Sequence, residues 1–141
     1  MRKIKFRGKV KGKCDWVYGS LLVYGDGEHN IHVPRKHNYK LDAWNVVPET
    51  VGQFTGLTDR NGKEIYEGDI ITVNGRYPRV VLWDKMSWSL MPTKFYQDKD
   101  FWVMNLQHPG PDWWEKFAGE FEVIGNIHDN PDLIPNQSTE V

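Results

Sequence analysis

Thiol chemistry is almost absent from this chain: Cys14 is the only cysteine among 141 residues. An intrachain disulfide is therefore impossible and a four-thiolate zinc site is excluded. A reducing cytoplasm suits such a composition. Long apolar runs are also missing. No segment approaches the roughly 20 residues of a membrane-spanning helix, so no membrane partner is expected. The residues from Met1 to Arg7 are charged throughout with no apolar stretch behind them, so a signal peptide is not expected. Asn136-Gln137-Ser138 matches a glycosylation acceptor, a chance match without a secretory signal. Neither a phosphate-binding loop nor a dinucleotide fingerprint occurs.

Aromatic residues, in contrast, are plentiful. Seven Trp, six Tyr and six Phe make up 13% of the chain, against 39% hydrophobic residues in all. Each such ring buries about 150–250 Å², so a β-rich core built largely of rings needs no disulfide or metal to fold. Charge is unevenly placed. Residues 1–48 hold ten Lys/Arg and four Asp/Glu, giving +6, whereas residues 49–141 hold eight and fifteen, giving −7. Such asymmetry marks a nucleic-acid surface, a charged partner or self-association of opposite faces; two oppositely charged solvated faces of one monomer explain it equally well.

Short extended segments alternate with turn signals along the whole chain. From Lys3 to Arg7, Ile4 and Phe6 face one way and Lys3, Lys5 and Arg7 the other, the period of a half-buried strand. Strands are expected at residues 16–24 and 29–33, separated by Gly25-Asp26-Gly27, and a short one at residues 44–47 that Pro48 ends. Residues 35–40 read as a loop. Residues 51–57 are extended, and Thr58-Asp59-Arg60-Asn61-Gly62 is a hairpin turn in which Asn-Gly tolerates positive φ. Residues 63–66 return, Glu67-Gly68-Asp69 bends the chain, and residues 70–73 form a β-branched strand. Further strands are expected at 79–83, 88–91 and 121–127, and residues 101–106 fit a strand or a helical turn, with strand favoured. Residues 93–100 read as a mobile loop, residues 113–117 as one or two helical turns with Asp112 as N-cap, and Asn130-Pro131-Asp132 as a last turn with Pro131 at the first helical position. The pattern predicts a mainly β barrel or sandwich with no long helix.

The segment Glu49 to Gly75 carries the most specific motif. It contains Gly52-Gln53-Phe54-Thr55-Gly56-Leu57, then Asp59 and Asn61-Gly62-Lys63, then Ile65-Tyr66-Glu67-Gly68-Asp69-Ile70. Ile4-Lys5-Phe6-Arg7, Tyr18-Gly19-Ser20, Val81-Leu82-Trp83-Asp84 and Phe121-Glu122-Val123-Ile124-Gly125-Asn126-Ile127, followed by Asn130-Pro131, extend it in order along most of the chain. Together these residues resemble the YopX family. The resemblance implies a phage or prophage origin, an SH3-like β-barrel in the C-terminal part and a homo-oligomer. It brings no catalytic residues, because no defined activity comes with it. The expected organisation is a basic N-terminal β lobe over residues 1–48, an acidic SH3-like barrel over 49–135 and a disordered tail over 136–141. Within the motif, Gly52, Gly56, Gly62 and Gly68 fall at bulges or tight turns, Asp59 and Asp69 accept hydrogen bonds from turn amides, and Phe54, Leu57, Ile65, Tyr66 and Ile70 supply core.

Candidate chemistry is sparse. Asp59-Arg60-Asn61-Gly62 begins like a calcium loop, but the twelfth position is Ile70, where a bidentate carboxylate is required. His29, His32 and His37 lie close together with Glu28, yet His29 and His32 point to opposite faces of one strand. Glu28 and His32 share a face but do not complete a zinc site. Glu64, Glu67 and Asp69 cluster as hydrolase carboxylates do, and equally as an acidic turn does. Cys14 has only Lys neighbours to activate it. Arg2, Lys3, Lys5, Arg7, Lys9, Lys11 and Lys13 form a basic run uninterrupted by acids, and Lys3, Lys5 and Arg7 would make one cationic stripe able to neutralise phosphates. Lysines on an exposed strand also block edge pairing. The expected function is that of a non-enzymatic phage or prophage accessory protein, without cofactor or metal, acting through self-association and contacts with a phage or host protein. The alternative is a nucleic-acid binder that uses Lys3, Lys5, Arg7, Lys9, Lys11 and Lys13, with exposed rings stacking on bases.

Overall fold

The computed structural model describes residues 3–34, 41–84, 86–98, 102 and 106–135. The protein is mainly β, with antiparallel sheets and few helical turns, and it divides into two compact units, Met1–Gly56 and Leu57–Val141. The division falls beyond Pro48, where the charge changes sign, and inside a strand.

The first unit orders its strands β4-β3-β2-β1-β5, where β1 is Phe6–Lys9, β2 Trp16–Val23, β3 His29–Pro34, β4 Leu41–Val46 and β5 Gly52–Thr58. Tight turns join β2 to β3: Gly27 takes φ 90°, and the Asp26 carboxylate accepts the Glu28 N–H at 2.9 Å. The sheet curls until Val10 bridges Val46, with Lys11 N–H donating to Asn45 O at 3.0 Å and Val47 N–H to Lys9 O at 2.8 Å. Ile31, Val46, Val10 and Phe54 are its buried apolar residues. Two glycines belong to this packing. A Cβ on Gly8 would lie 3.0 Å from the Val46 side chain, and one on Gly19 would collide with the His32 carbonyl oxygen.

The first strand departs from its expected placement. Its ladder to β2 starts only at Phe6↔Gly19 and runs on through Gly8 to Lys9. Ile4 therefore lacks a β2 neighbour and is 66% exposed, while Arg7, expected on the solvent face, is 4% exposed. Strand β4 is also longer than expected at its start, and after Val46 the chain winds into a 3-10 turn, Pro48–Thr50. The loop expected over 35–40 and the tail from 136 lie outside the described residues.

The second unit contains a sheet in the order β10-β7-β8-β9, with β7 Asp69–Val73, β8 Arg76–Asp84, β9 Ser87–Pro92 and β10 Phe121–Asn126. β6, Glu64–Tyr66, follows the turn at 59–63, which is closed by Asp59 N–H to Lys63 O at 2.7 Å. Consecutive apolar pairs cover both faces of this sheet. Ile71 and Val81 pack with Ile65, Leu90, Trp114 and Phe121 on one side. Ile70 and Val80 pack with Ile134 on the other, alongside Leu82, Tyr96, Ile127 and Leu133. The helix α1, Pro111–Phe117, brings Trp113, Trp114 and Phe117 to the first side, where Trp113 and Trp114 lie 5.7 and 5.9 Å from the Phe121 ring. Register shifts at Ile71/Val73 and Val123/Gly125 mark bulges.

Three expectations for this unit change. The stretch from 93 is not a plain loop, since Thr93–Phe95 form a 3-10 turn with Thr93 buried. Of the stretch 101–106 only Trp102 and Leu106 are described: Trp102 is helical rather than extended, and Leu106 N–H donates to Trp102 O at 2.8 Å; the rest of that expected element lies outside the described residues. Pro111 opens α1, so Asp112 sits in the first turn; Gly110 supplies the carbonyl that receives the Trp113 and Trp114 amides, at 3.1 and 3.2 Å. Among the described residues, the four strands form an open run with β10 and β9 at its edges, and closure into a barrel is not seen.

Candidate functional site

Strand register sets the first candidate surface. Arg7 opposes Tyr18, Lys9 opposes Trp16 and Arg7 opposes Gly52, so the odd-numbered residues of β1 share a face with Trp16 and Tyr18. Cations and rings meet there. The Arg7 guanidinium lies 4.7 Å from the Trp16 ring centre and Lys9 Nζ 5.8 Å from the same ring, while Lys5 Nζ is 5.8 Å from Phe54. Beyond the strand, Lys13 Nζ sits 5.7 Å from the Trp44 ring. Such contacts contribute about 0.5–1 kcal/mol where exposed and about 2 kcal/mol when desolvated. Arg7 is thus a packing element, held inside by Trp16. Lys3, Lys11 and Lys13 are exposed, and Lys5 and Lys9 are half-buried.

The motif residues of the second unit converge on turns. The Asp59 carboxylate, 5% exposed, accepts three amides: Asn61 at 2.8 Å and Lys63 at 2.9 Å on Oδ1, and Val123 at 3.0 Å on Oδ2. Burial alone would raise its pKa, but the amides of Val123, Lys63 and Asn61 and the charge of Lys63 outweigh burial and hold it below the usual value. Arg60 N–H adds a bond to Phe121 O at 2.9 Å, so the hairpin turn is tied to β10 twice. Gly62 in this turn takes φ 79°, a conformation that glycine adopts without steric cost. Asp69 is buried and accepts Tyr66 N–H at 2.8 Å, and the buried Tyr66 donates its hydroxyl to Glu64 at 3.0 Å. Gly68, at φ 90°, donates to Val81 O at 2.8 Å and accepts Ile127 N–H at 3.0 Å. Two of the three clustered carboxylates, Glu64 and Asp69, therefore serve the turn around Tyr66.

The histidines separate as the alternation requires. His32 pairs with Ser20 and His29 with Val23, three rungs apart, so their side chains leave the sheet on opposite sides. Glu28 accepts the Asn45 amide at 2.5 Å, and His37 lies outside the described residues. Among the described residues, no three His, Cys, Asp or Glu side chains gather as metal ligands. Cys14 is exposed.

A cleft of about 440 Å³ in the second unit escaped the sequence reading. Tyr77, Pro78, Arg79, Pro92, Thr93, Lys94 and Phe95 line it. The rung Arg79↔Pro92, the last of the β8–β9 ladder, brings its two walls together. Arg79 donates from Nη1 to Tyr77 O at 3.3 Å, its guanidinium lies 5.6 Å from the Tyr77 ring, and its Nε is shut off from solvent without an acceptor. Burial pushes its pKa down, with Tyr77 partly opposing. The only available signal was weak: Tyr77-Pro78 stands between a turn and a strand, and nothing in the order of residues places Lys94 beside Arg79.

Comparison with solved structures gives protein EF1440 from Enterococcus faecalis at 18% identity and a TM-score of 0.57, covering 96% of this chain and 100% of that one. Protein yopX from Bacillus subtilis is 19% identical with a TM-score of 0.42, covering 96% of this chain and 98% of that one. At such identity the first likeness speaks for the fold alone. A search of curated proteins found no match. The family described as YopX protein matches residues 5–135, nearly the whole length, and the chain belongs to that family.

Proposed function

We propose that this protein is a non-enzymatic interaction module that associates with further copies of itself, as an accessory protein of a phage or prophage working in the bacterial cytoplasm. The observation that carries the reading is the apolar surface of the first unit. Tyr18, Leu22, Val23 and Tyr24, on β2 and its end, and Trp44 on β4 are all exposed. Large apolar side chains left in solvent on the two strands that flank β3, Tyr18 and Leu22 on one face and Val23 and Trp44 on the other, favour a protein contact. The occupant that fits is a second copy, because the +6 of residues 1–48 complements the −7 of residues 49–141. A basic surface of one copy against an acidic surface of the next is a heterologous contact, which builds rings or filaments. The second unit is proposed to be an SH3-like barrel; its short antiparallel strands and the bulges in β7 and β10 support strong bending. Light scattering behind size exclusion, at low and moderate salt, tests the assembly: oligomers are expected at low salt with partial dissociation as salt rises, and a strict monomer at tens of micromolar overturns it.

Nucleic-acid binding is the second reading, favoured by the placement of Lys5, Lys9 and Lys13 on aromatic rings. Because Arg7 is buried against Trp16, phosphate contact falls to the lysines. An anisotropy titration of single-stranded DNA at about 50 mM salt is the assay, since phosphate contacts are strong there. Replacing Lys3, Lys5, Lys11 and Lys13 by Ser, with Arg7 kept, should abolish binding. No binding by the wild type, or binding untouched by the four substitutions, removes the idea.

A further inference from the structure

From the cleft beside β8 we infer a site for a mononucleotide-like ligand, a flat ring carrying a phosphate, distinct from the surface proposed for self-association. Three observations converge. First, Leu57–Val141 is acidic, with eight Lys/Arg against fourteen Asp/Glu, yet the cleft is lined by two cations, Arg79 and Lys94, and by no acid among the described residues. Lys94 Nζ lies 5.0 Å from the Phe95 ring rather than on a carboxylate. Second, Arg79 is partly desolvated without a counter-charge among the described residues: one bond of 3.3 Å leads to a carbonyl, and Nε has no acceptor there. An oxyanion entering the cleft supplies the missing charge, and two cations suit the near-dianion of a phosphate monoester better than a single carboxylate. Third, Tyr77 holds φ 57° although it is neither Gly nor Asn, and its side chain is 64% exposed at the mouth. Tyr77 falls in the bulge between the rungs Val73↔Arg76 and Ile71↔Arg79, and bulges beside functional sites re-aim a side chain in this way.

The volume fits a small molecule: about 440 Å³ lies in the range of ligand sites, roughly 300–1,000 Å³. The walls of Tyr77, Phe95, Pro78 and Pro92 offer flat apolar faces. A base stacks on Tyr77, as bases do on exposed rings in nucleic-acid-binding proteins, while its phosphate meets Arg79 and Lys94.

Isothermal titration of the full chain with AMP, adenosine and inorganic phosphate tests the site. AMP is expected to bind saturably, with adenosine and phosphate each weaker by about tenfold or more, the equivalent of one lost interaction of about 1.4 kcal/mol. Arg79→Gln and the exposed-site variant Lys94→Gln should each weaken AMP several-fold, so that a folding defect in the first leaves the second to decide. Tyr77→Gly should weaken AMP without lowering the melting temperature, since it relieves the positive φ. No saturable AMP binding, equal binding of AMP and phosphate, equal binding of AMP and adenosine, or AMP affinity unchanged in Lys94→Gln overturns the inference. Light scattering reads the self-association proposal separately.

Discussion

Replacing Asp59 removes a carboxylate that joins three separate pieces of backbone. In Asp59→Ala the amides of Asn61, Lys63 and Val123 lose their acceptor. An amide left unsatisfied costs about 1–3 kcal/mol when buried. Asn61 and Lys63 sit in an exposed turn where water replaces part of the loss, whereas Val123 belongs to β10, beside Ile71. The expected destabilisation is about 3–5 kcal/mol, a large share of the roughly 5–15 kcal/mol that holds an ordinary domain together. Asp59→Asn keeps an oxygen for Asn61 and Lys63 but turns an NH2 toward the Val123 N–H; it should cost about 1–3 kcal/mol, the penalty of one unsatisfied amide. The sign of the pH dependence follows from the lowered pKa. The folded state binds the Asp59 proton less readily than the unfolded chain, so the stabilisation is complete above the unfolded value of about 3.9 and is lost as pH falls through the lower folded one. Urea unfolding followed by tryptophan fluorescence, for wild type and both variants between pH 7 and pH 3, is the assay. The gap between wild type and Asp59→Ala should be widest at pH 7 and narrow at the acid end. A variant within about 0.5 kcal/mol of wild type at pH 7, the scatter of ordinary surface substitutions, refutes the reasoning.

Two further perturbations probe packing. Gly19→Ala places a methyl against the His32 carbonyl, in backbone that cannot yield as a flexible side chain would, and should cost about 1–3 kcal/mol of first-unit stability; Gly25→Ala, in open space without a positive φ, should be neutral or gain up to about 1 kcal/mol, and equal melting temperatures for the two would contradict the account. Phe121→Ala empties the position between Trp113, Trp114 and the β7 core and should cost about 3–5 kcal/mol, read by chemical denaturation; a loss below about 1 kcal/mol would mean that the rings do not form one core.

Turn chemistry was the most legible part of the chain because it is local. Asn61-Gly62 and Asp59 announce a hairpin within five residues, and Asp59 closes it. The polarity of a strand is a different matter. An alternation of two kinds of residue fixes which side chains share a face, not which face is covered. Lys5, Arg7 and Lys9 do share one, yet coverage there comes from Trp16 and Phe54, distant in sequence, and it buries a guanidinium while leaving Ile4 in solvent. The polar composition of 93–98 misled for a related reason. Thr93 and Tyr96 are drawn inward by neighbours from other segments, Tyr96 by Ile70, Val80 and Ile134.

The pairs Ile70-Ile71 and Val80-Val81 show how more could have been read. A strand exposed on one side alternates, whereas two adjacent apolar residues on each of two paired strands require cover on both faces. The register confirms the pairing, with Ile70 opposite Val80. Cover must then come from outside the sheet: α1 with its three rings on one side, and the turn ending at Ile134 with Tyr96 on the other. This demand explains why the segment between β9 and β10 is long and rich in aromatics although its described residues contribute no named strand. It also explains why the cleft forms where β8 outruns β9. Past Arg79↔Pro92 the second strand turns away into Thr93–Phe95, and the chain leaves Tyr77, Arg79 and Lys94 around a gap that no core residue fills. The candidate ligand site is thus a product of unequal strand lengths, a property of pairing that a linear pattern of residues does not display.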